Sequence, residues 1–261
     1  MIARHVLITG ASQGIGAELA RLAAADGYDL TLVARSGHAL AELSDELRSR
    51  FGVSVRVAVA DLAQPHAAEQ LWADVVGPDG GVDMLINSAG AGLHGMLAEH
   101  DAGALRRMVE LNVTALTTLT RLALPPMLQR GWGRVLNVAS VVAYQPGGPG
   151  MSAYYASKAY VLALSKGVAR ELVGTGVSVT ALCPGPTRTG FEQHSGAAGT
   201  ALYRWVPGLS AAAVACKGYR GLMRGRAEVI PGLAAKLLAF AGELPPRRIA
   251  LEVNRLLLGR S

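Results

Sequence analysis

The hydrophobic positions of this chain fall into short continuous runs that alternate with longer segments of helical spacing. In those segments apolar residues recur every three or four positions, as at Leu40, Leu43 and Leu47, which is typical of a helix with one buried face. The short runs are rich in Val, Leu and Ile and predict β-strands at residues 6–9, 30–34, 53–59, 84–86, 134–138, 177–182 and 229–230.

This alternation of strands and helices indicates one kind of architecture. Successive strand–helix–strand units cross over in a right-handed sense and build a parallel sheet covered on both faces. The runs are apolar throughout, not at every second position, as expected of strands buried on both sides. The sequence therefore predicts an α/β fold, a doubly wound parallel sheet of about seven strands flanked by helices, with a C-terminal helical extension.

Length and composition narrow the class of protein further. A chain of 261 residues fits one α/β domain or two small domains, and 51% hydrophobic against 17% charged residues excludes disorder. The longest apolar stretches are too short to span a bilayer, and the N-terminus lacks the pattern of a signal peptide, so we expect a cytoplasmic protein. Cys183 and Cys216 lack metal-ligand spacing, so we expect two buried thiols and no metal site.

The net charge of +6 is unevenly distributed. Residues 1–200 carry 15 Lys and Arg against 16 Asp and Glu, whereas residues 201–261 carry 10 against 3. The basic character therefore belongs to the end of the chain. Because no nucleic-acid-binding motif accompanies it, we expect no nucleic-acid partner.

The turn after the first strand, residues 10–16, carries two overlapping motifs. Its three glycines favour a nucleotide pyrophosphate that approaches the backbone at a helix N-terminus. Its first five letters also match the nucleophile elbow of a serine hydrolase around Ser12. That elbow normally comes later in the chain, after an oxyanion loop, so position favours the nucleotide. A tight turn without a ligand is the third interpretation.

Three further segments complete a recognisable set. Asn87, Ala89 and Gly90 follow the fourth strand in an N-x-A-G pattern, Ser140 follows the fifth, and Tyr154 and Lys158 form a Y-x-x-x-K motif. Together with the first turn they resemble the short-chain dehydrogenase/reductase family, over about residues 1–190. The resemblance implies a Rossmann-type oxidoreductase whose nicotinamide cofactor contacts Gly10, Ser12, Gln13, Gly14, Ile15, Gly16, Asp61, Leu62, Asn87, Ala89, Gly90, Tyr154, Lys158, Pro184, Gly185, Thr187 and Thr189.

The chemistry of carbonyl reduction explains the residue types. A phenol must be tuned from its ordinary pKa near 10 to exchange a proton with the developing alkoxide, and a nearby ammonium does this. Tyr154 and Lys158 share a helix face, so we expect Tyr154 as acid/base, Lys158 as the group that lowers its pKa, and Ser140 as carbonyl-orienting donor. The resemblance alone assigns Asn112 as the anchor of a water linked to Lys158.

Two details of the motif bear on the choice of catalytic tyrosine and on the loop before it. Tyr155 adjoins Tyr154, but only Tyr154 lies four residues before Lys158, so catalysis is assigned to Tyr154. The spacing from Ser140 to Tyr154 is longer than is usual in the family, which predicts an altered loop between them.

The end of the second strand bears on the cofactor. Members of the family that use NAD usually place an acidic residue here, which binds the ribose hydroxyls and repels a 2′-phosphate. This chain has Ala34, Arg35 and Ser36, which suit a phosphate. We therefore expect NADP(H), with Arg35 and Ser36 on its 2′-phosphate and Asp61 at the adenine edge.

The substrate and partners are less constrained. Leu93, His94, Met151, Phe191 and Tyr203 predict a mostly apolar pocket for a small carbonyl or alcohol substrate. Family resemblance suggests a homodimer or homotetramer through the helices near Asn112 and Tyr154. The alternative from another class is a non-catalytic NADP-binding regulatory protein, which would not need an intact Ser, Tyr and Lys.

The chain is divided into residues 1–232, a single NADP-binding oxidoreductase domain, and residues 233–261, an amphipathic helical extension of the same domain. Arg247, Arg248, Arg255 and Arg260 flank the second half of this extension. It is expected to pack on the body or on a neighbouring subunit. Peripheral contact with an anionic membrane surface is the alternative.

Overall fold

The structure, a computed structural model, describes residues 4–76, 81–197, 199–200, 208–244 and 246–258. Its strands are β1 (His5–Thr9), β2 (Asp29–Ala34), β3 (Val55–Val59), β4 (Met84–Asn87), β5 (Gly133–Val138), β6 (Val177–Leu182), β7 (Thr187–Arg188), β8 (Leu209–Ser210) and β9 (Glu228–Val229). All except β7 and β8, which pair with each other, form one parallel sheet in the order β3, β2, β1, β4, β5, β6, β9. The predicted doubly wound α/β fold is confirmed.

Each of the seven predicted runs forms a strand of this sheet. The observed ends differ from the predicted ones by at most two residues, as where residues 53–59 are seen as Val55–Val59. The inner strands of the sheet are almost fully buried, with Leu7, Ile8, Leu85 and Ile86 inaccessible to solvent, whereas the edge strands β3 and β9 are partly exposed. Burial on both faces explains why their sequences lack alternation.

Helices cover both faces of the sheet. They are α1 (Gly14–Ala25), α2 (Gly37–Phe51), α3 (Ala67–Val75), α4 (Ala102–Val109), α5 (Leu116–Arg130), α6 (Ser152–Glu171), α7 (Phe191–Ser195), α8 (Ala211–Met223), α9 (Leu233–Glu243) and α10 (Arg247–Leu258). Apolar side chains of α1, α2 and α8 pack on one face, and those of α3, α5 and α6 on the other. A π-helical segment, Glu110–Ala115, joins α4 to α5, and 3₁₀ helices occupy Leu97–Glu99 and Val141–Tyr144.

The strand order places a crevice at one edge of the sheet. From β1 the chain adds strands towards β3 and then returns to add β4 on the other side. Thr9, at the end of β1, is in register with Val33 on β2 and Asn87 on β4. The loops after β1 and β4 therefore leave in opposite directions, which is where open α/β sheets bind ligands.

The C-terminal extension is helical and packs on the body of the domain through a face of small residues. Ala235, Ala239 and Gly242 are buried on α9, which lies against the 3₁₀ helix Val141–Tyr144. A Cβ on Gly242 would lie 2.7 Å from the carbonyl oxygen of Tyr144, so only glycine permits this approach. The division of the chain at residue 232 stays a prediction.

Two smaller expectations can be compared with the structure. Cys183 is buried as predicted, but Cys216 is exposed on the outer face of α8, so the prediction of a buried thiol there is wrong. Within the described ranges, no helix is both long and apolar enough to cross a membrane.

Candidate active site

The glycine-rich turn brings the backbone of β1 close to the loop after β4. Gly10 and Gly14 have φ values of 66° and 59°, in the region that favours glycine. A Cβ on Gly10 would lie 2.6 Å from the amide nitrogen of Ala89, and one on Gly16 would lie 2.2 Å from the carbonyl oxygen of Gly10. The turn leads directly into α1, whose cap residue, Gln13, makes no side-chain capping bond. Free amide groups and the positive end of the helix dipole therefore remain for an anion.

A cleft of about 720 Å³ opens at the carboxyl edge of the sheet, beside this turn. This volume is large enough for a dinucleotide-sized ligand, and the cleft lies at the edge of the sheet where such folds bind ligands. The predicted site residues that line it are Gly10, Ser12, Gln13, Gly14, Ile15, Arg35, Ser36, Asp61, Leu62, Ala89, Gly90, Ser140, Tyr154, Lys158, Pro184, Gly185, Thr187 and Thr189. Three others, Gly16, Asn87 and Asn112, lie behind the lining.

Gly16 and Asn87 support the cleft from behind. Gly16 packs against the backbone of Gly10. Asn87 is buried and donates hydrogen bonds to Asn137 Oδ1 at 2.9 Å and Thr120 Oγ1 at 3.2 Å. These bonds tie β4 to β5 and α5. In this arrangement both residues shape the site without facing the cleft.

The end of β2 presents Arg35 to solvent at the rim. Its guanidinium makes no hydrogen bond or ion pair within the described part of the chain and is therefore available to a ligand. The Ser36 hydroxyl accepts a hydrogen bond from the Ala39 amide at 3.4 Å and so caps α2. After β3, Asp61 accepts bonds from the Ala63 amide at 3.2 Å and from Gln64 Nε2 at 3.0 Å, which fix its carboxylate.

Ser140, Tyr154 and Lys158 meet at the inner end of the cleft. Ser140 follows β5 and caps the 3₁₀ helix, whereas Tyr154 and Lys158 lie one turn apart on α6. Lys158 Nζ lies 5.9 Å from the centre of the Tyr154 ring and donates a hydrogen bond to the Val138 carbonyl at 2.8 Å. The three predicted catalytic residues thus meet from two consecutive elements, the 3₁₀ helix after β5 and helix α6.

Burial sets the ionisation of this group. It raises the pKa of Tyr154 to about 12, an effect opposed by a hydrogen bond with Ser140. Burial also lowers the pKa of Lys158 to about 8. The expectation that Lys158 lowers the pKa of Tyr154 is therefore not met by the protein's own groups, because desolvation raises this pKa and the opposing effect comes from Ser140. At neutral pH the phenol is protonated and the ammonium largely charged.

Asn112 holds the loop that faces Lys158. It lies in the π-helical segment, a type of helical irregularity often found at functional sites. Its side chain accepts a hydrogen bond from the Ala91 amide at 2.9 Å, donates to the Ala91 carbonyl at 2.8 Å and donates to Ser157 Oγ at 3.1 Å. Ser157 was not among the predicted residues, because a serine within a helix carries no motif of its own.

Part of the cleft lining is apolar. Of the predicted pocket residues, Leu93, Met151 and Phe191 line the cleft, and the Phe191 ring lies 5.3 Å from that of Tyr154. Tyr203 lies outside the described residues. Sequence reasoning missed Met108 and Arg107 of α4, which also line the cleft, because no motif marks that helix.

His94 lies beside the cleft without lining it, and it forms hydrogen bonds to two helices. Its Nε2 donates a hydrogen bond to the carbonyl of Leu258 on α10 at 2.9 Å, and its amide donates to the carbonyl of Ser195 on α7 at 2.9 Å. Asn254 on α10 donates to the Gly147 carbonyl at 2.7 Å in the long loop before α6. The extension therefore fixes the loop whose unusual length the sequence indicated.

A doubly wound sheet with a glycine-rich turn and a Ser, Tyr and Lys group at its carboxyl edge defines a class of nucleotide-dependent α/β enzymes. The family model for short chain dehydrogenase matches residues 4–198. The chain belongs to the short-chain dehydrogenase family.

Individual relatives agree with this assignment. Ketoacyl reductase HetN of Nostoc is 36% identical over 184 residues, which cover 70% of this chain and 63% of HetN, so the chain spans less than two thirds of that relative. A short-chain dehydrogenase from Sphingobium yanoikuyae, solved in complex with NADPH, is 35% identical, with a TM-score of 0.81 and 92% of each chain covered. The bulky-bulky ketone specific alcohol dehydrogenase from Comamonas testosteroni is 30% identical, with a TM-score of 0.77 over 98% of this chain and 93% of its own.

Proposed function

We propose that this protein is an NADP(H)-dependent oxidoreductase that transfers a hydride between nicotinamide and a carbonyl or alcohol substrate. The observation that carries the proposal is the convergence of Ser140, Tyr154 and Lys158 in a cleft that begins at the glycine-rich turn. A non-catalytic nucleotide-binding regulator would not need that group, and no described histidine hydrogen-bonds Ser12 as a hydrolase would require.

The preference for NADP(H) rests on the end of β2. Gly10 and Gly16 let the backbone of the turn pack closely, and the uncapped amides at the start of α1 suit a pyrophosphate. Arg35 is exposed at the rim of the same cleft, and the residue before it, Ala34, brings no negative charge. A guanidinium binds a phosphate by two parallel hydrogen bonds, so Arg35 would hold the 2′-phosphate. The NADPH in the Sphingobium relative supports the same choice.

The protein's own groups suit carbonyl reduction near neutral pH. When bound, the nicotinamide supplies the hydride. Ser140 orients the carbonyl oxygen, and Tyr154, kept protonated by its raised pKa, donates a proton to it. Lys158 holds a positive charge next to Tyr154, and Asn112 fixes the loop at Gly90 and Ala91 that covers Lys158.

The substrate is proposed to be hydrophobic. Apolar side chains of Leu93, Met108, Met151 and Phe191 line the end of the cleft beyond Tyr154. The likeness to an alcohol dehydrogenase specific for bulky ketones supports an apolar carbonyl compound.

The proposed assembly is a homodimer or homotetramer through α5 and α6, where Tyr160 and Leu128 expose apolar surface. Light scattering of the purified protein would measure it. The cytoplasmic location stays a prediction.

The function is tested by following NADPH oxidation with a panel of ketones from small aliphatic to bulky aromatic. We expect turnover with the bulky members, and Tyr154→Phe should lower it by at least about a hundredfold. Tyr155→Phe is the matched control, since Tyr155 lines the same cleft and lies on the same helix. Loss of turnover in Tyr155→Phe with Tyr154→Phe unaffected would contradict the assignment. Labelling of Ser12 by a serine-directed phosphonate would favour the hydrolase instead.

A further inference from the structure

Helix α9 places its small residues inside and its large apolar residues outside. Ala235 and Ala239 pack against the body of the domain, whereas Leu233, Leu237 and Phe240 are 60 to 73% exposed on the opposite side of the helix. This is the reverse of an ordinary surface helix, which buries its large apolar side chains. Packing within the domain therefore does not explain the outward face.

Helix α10 also exposes apolar side chains. Asn254 and Leu258 are buried, while Ile249, Val253 and Leu256 recur at intervals of four and three residues and lie exposed on another face. We name the exposed apolar residues of the two helices and of the connection between them the C-terminal apolar surface; its members are Leu233, Leu237, Phe240, Leu244, Ile249, Leu251, Val253 and Leu256. Clustered exposed apolar side chains of this kind mark a contact surface, whereas scattered ones do not.

Charged residues beside this surface indicate the nature of the partner. Lys236 and Arg248 are exposed and form no ion pair within the described ranges, whereas Arg255 is paired with Glu252 at 2.8 Å, which leaves Glu243 as the exposed acid without an ion pair on these helices. A two-fold contact with a second copy would bring these like charges together, whereas an anionic surface would attract them.

We propose that the C-terminal apolar surface binds peripherally to an anionic lipid membrane. Aliphatic and phenyl side chains enter the boundary of the acyl chains, and the neighbouring cations contact the lipid headgroups, as in interfacial amphipathic helices. The arrangement is peripheral because none of the described helices can cross a bilayer. The proposal does not depend on the reaction.

The inward faces of the two helices, opposite this surface, contact segments next to the active site. Helix α9 lies against the 3₁₀ helix that begins after Ser140, and the carbonyl of Leu258 accepts the hydrogen bond from His94 next to the cleft.

Co-sedimentation of the full chain with vesicles tests the proposal. One set contains phosphatidylcholine alone and another contains about 30% phosphatidylglycerol, each at about 0.05 M and about 0.5 M salt. We expect binding to the anionic vesicles at low salt that falls at high salt. Leu237→Glu/Phe240→Glu should weaken binding at least about tenfold, whereas Val173→Glu, a control at a residue 70% exposed just after α6, should not.

The charge contribution has its own pair of variants. Lys236→Glu/Arg248→Glu should lose the preference for anionic vesicles, whereas the matched double charge reversal Arg50→Glu/Arg170→Glu, at exposed positions away from the surface, should keep it. The proposal is overturned if the wild-type protein does not bind anionic vesicles, or if Leu237→Glu/Phe240→Glu binds as well as wild type. It is also overturned if that variant lowers the molar mass in light scattering, because the surface would then be a subunit interface.

Discussion

Replacing Lys158 with methionine should stabilise the protein at neutral pH while removing the proposed activity. Lys158 is 4% exposed, and burial lowers its pKa from 10.5 to about 8, so its charged form is held in the folded protein at a cost in free energy. Methionine fills a similar volume without a charge. The same substitution therefore removes the free-energy cost of the buried charge and the ammonium group on which the proposed activity depends.

The size of the effect follows from the shift in pKa. A change from 10.5 to about 8 corresponds to about 3 kcal/mol at pH 7. Methionine also loses the hydrogen bond to the Val138 carbonyl, which contributes about 1 kcal/mol. We expect Lys158→Met to raise the free energy of unfolding by about 2 kcal/mol at pH 7.

The pH dependence gives the sharper test. Between about pH 8 and pH 10.5 an unfolded lysine keeps its proton while the buried Lys158 has lost it, so the stability of the wild-type protein rises with pH in this range. The advantage of Lys158→Met should therefore shrink by about 2 kcal/mol between about pH 7 and pH 9.5. Urea unfolding of both proteins at the same concentration, without nucleotide, measures the difference, in which the contributions of other groups cancel.

A variant that is less stable than wild type at pH 7, or an advantage that is equal at both pH values, would refute the reasoning. Either result would mean that Lys158 is not held charged in a desolvated position.

Further predictions concern the turn and the extension. Gly16→Ala should lower stability by about 1 to 3 kcal/mol, because its Cβ would lie 2.2 Å from the carbonyl oxygen of Gly10. Gly167→Ala, on α6 with no atom within 4 Å of its added Cβ, should instead raise stability by about 0.5 to 1 kcal/mol; thermal unfolding of both variants compares them, and equal effects would contradict the steric argument. Asn254→Ala should cost about 1 to 2 kcal/mol and speed hydrogen exchange in the loop before α6, since it removes the 2.7 Å bond to the Gly147 carbonyl; unchanged exchange there would show that α10 does not hold the loop.

The fold was largely predictable because its strands are buried on both faces. Continuous apolar runs separated by segments of helical spacing leave few alternative folds, and all seven predicted strands are present in the sheet. The π-helical segment at Asn112 was not predictable, since it depends on bonds to Ala91 and Ser157 from other parts of the chain. The inward position of the small residues of α9 was not predictable for a similar reason. Spacing identifies an amphipathic helix, but only tertiary contact shows that its small residues face inward.

The site was predictable where a motif marks it. The structure brings Ser140, Tyr154 and Lys158 together as expected. Asn87, from the N-x-A-G pattern, instead faces the interior of the sheet. A motif contains residues that build a site as well as residues that line it, and the letters do not separate them. Arg107 was missed because its helix reaches the cleft only through packing between distant segments.

The measurement that tests the central claim most directly is a calorimetric titration of the protein with NADPH and with NADH. We predict that NADPH binds at least about tenfold more tightly than NADH, and that Arg35→Ala removes most of this preference while Arg50→Ala, at another exposed arginine, does not. Equal affinity for the two nucleotides would contradict the role of Arg35. Absence of binding by either would contradict the proposed oxidoreductase function itself.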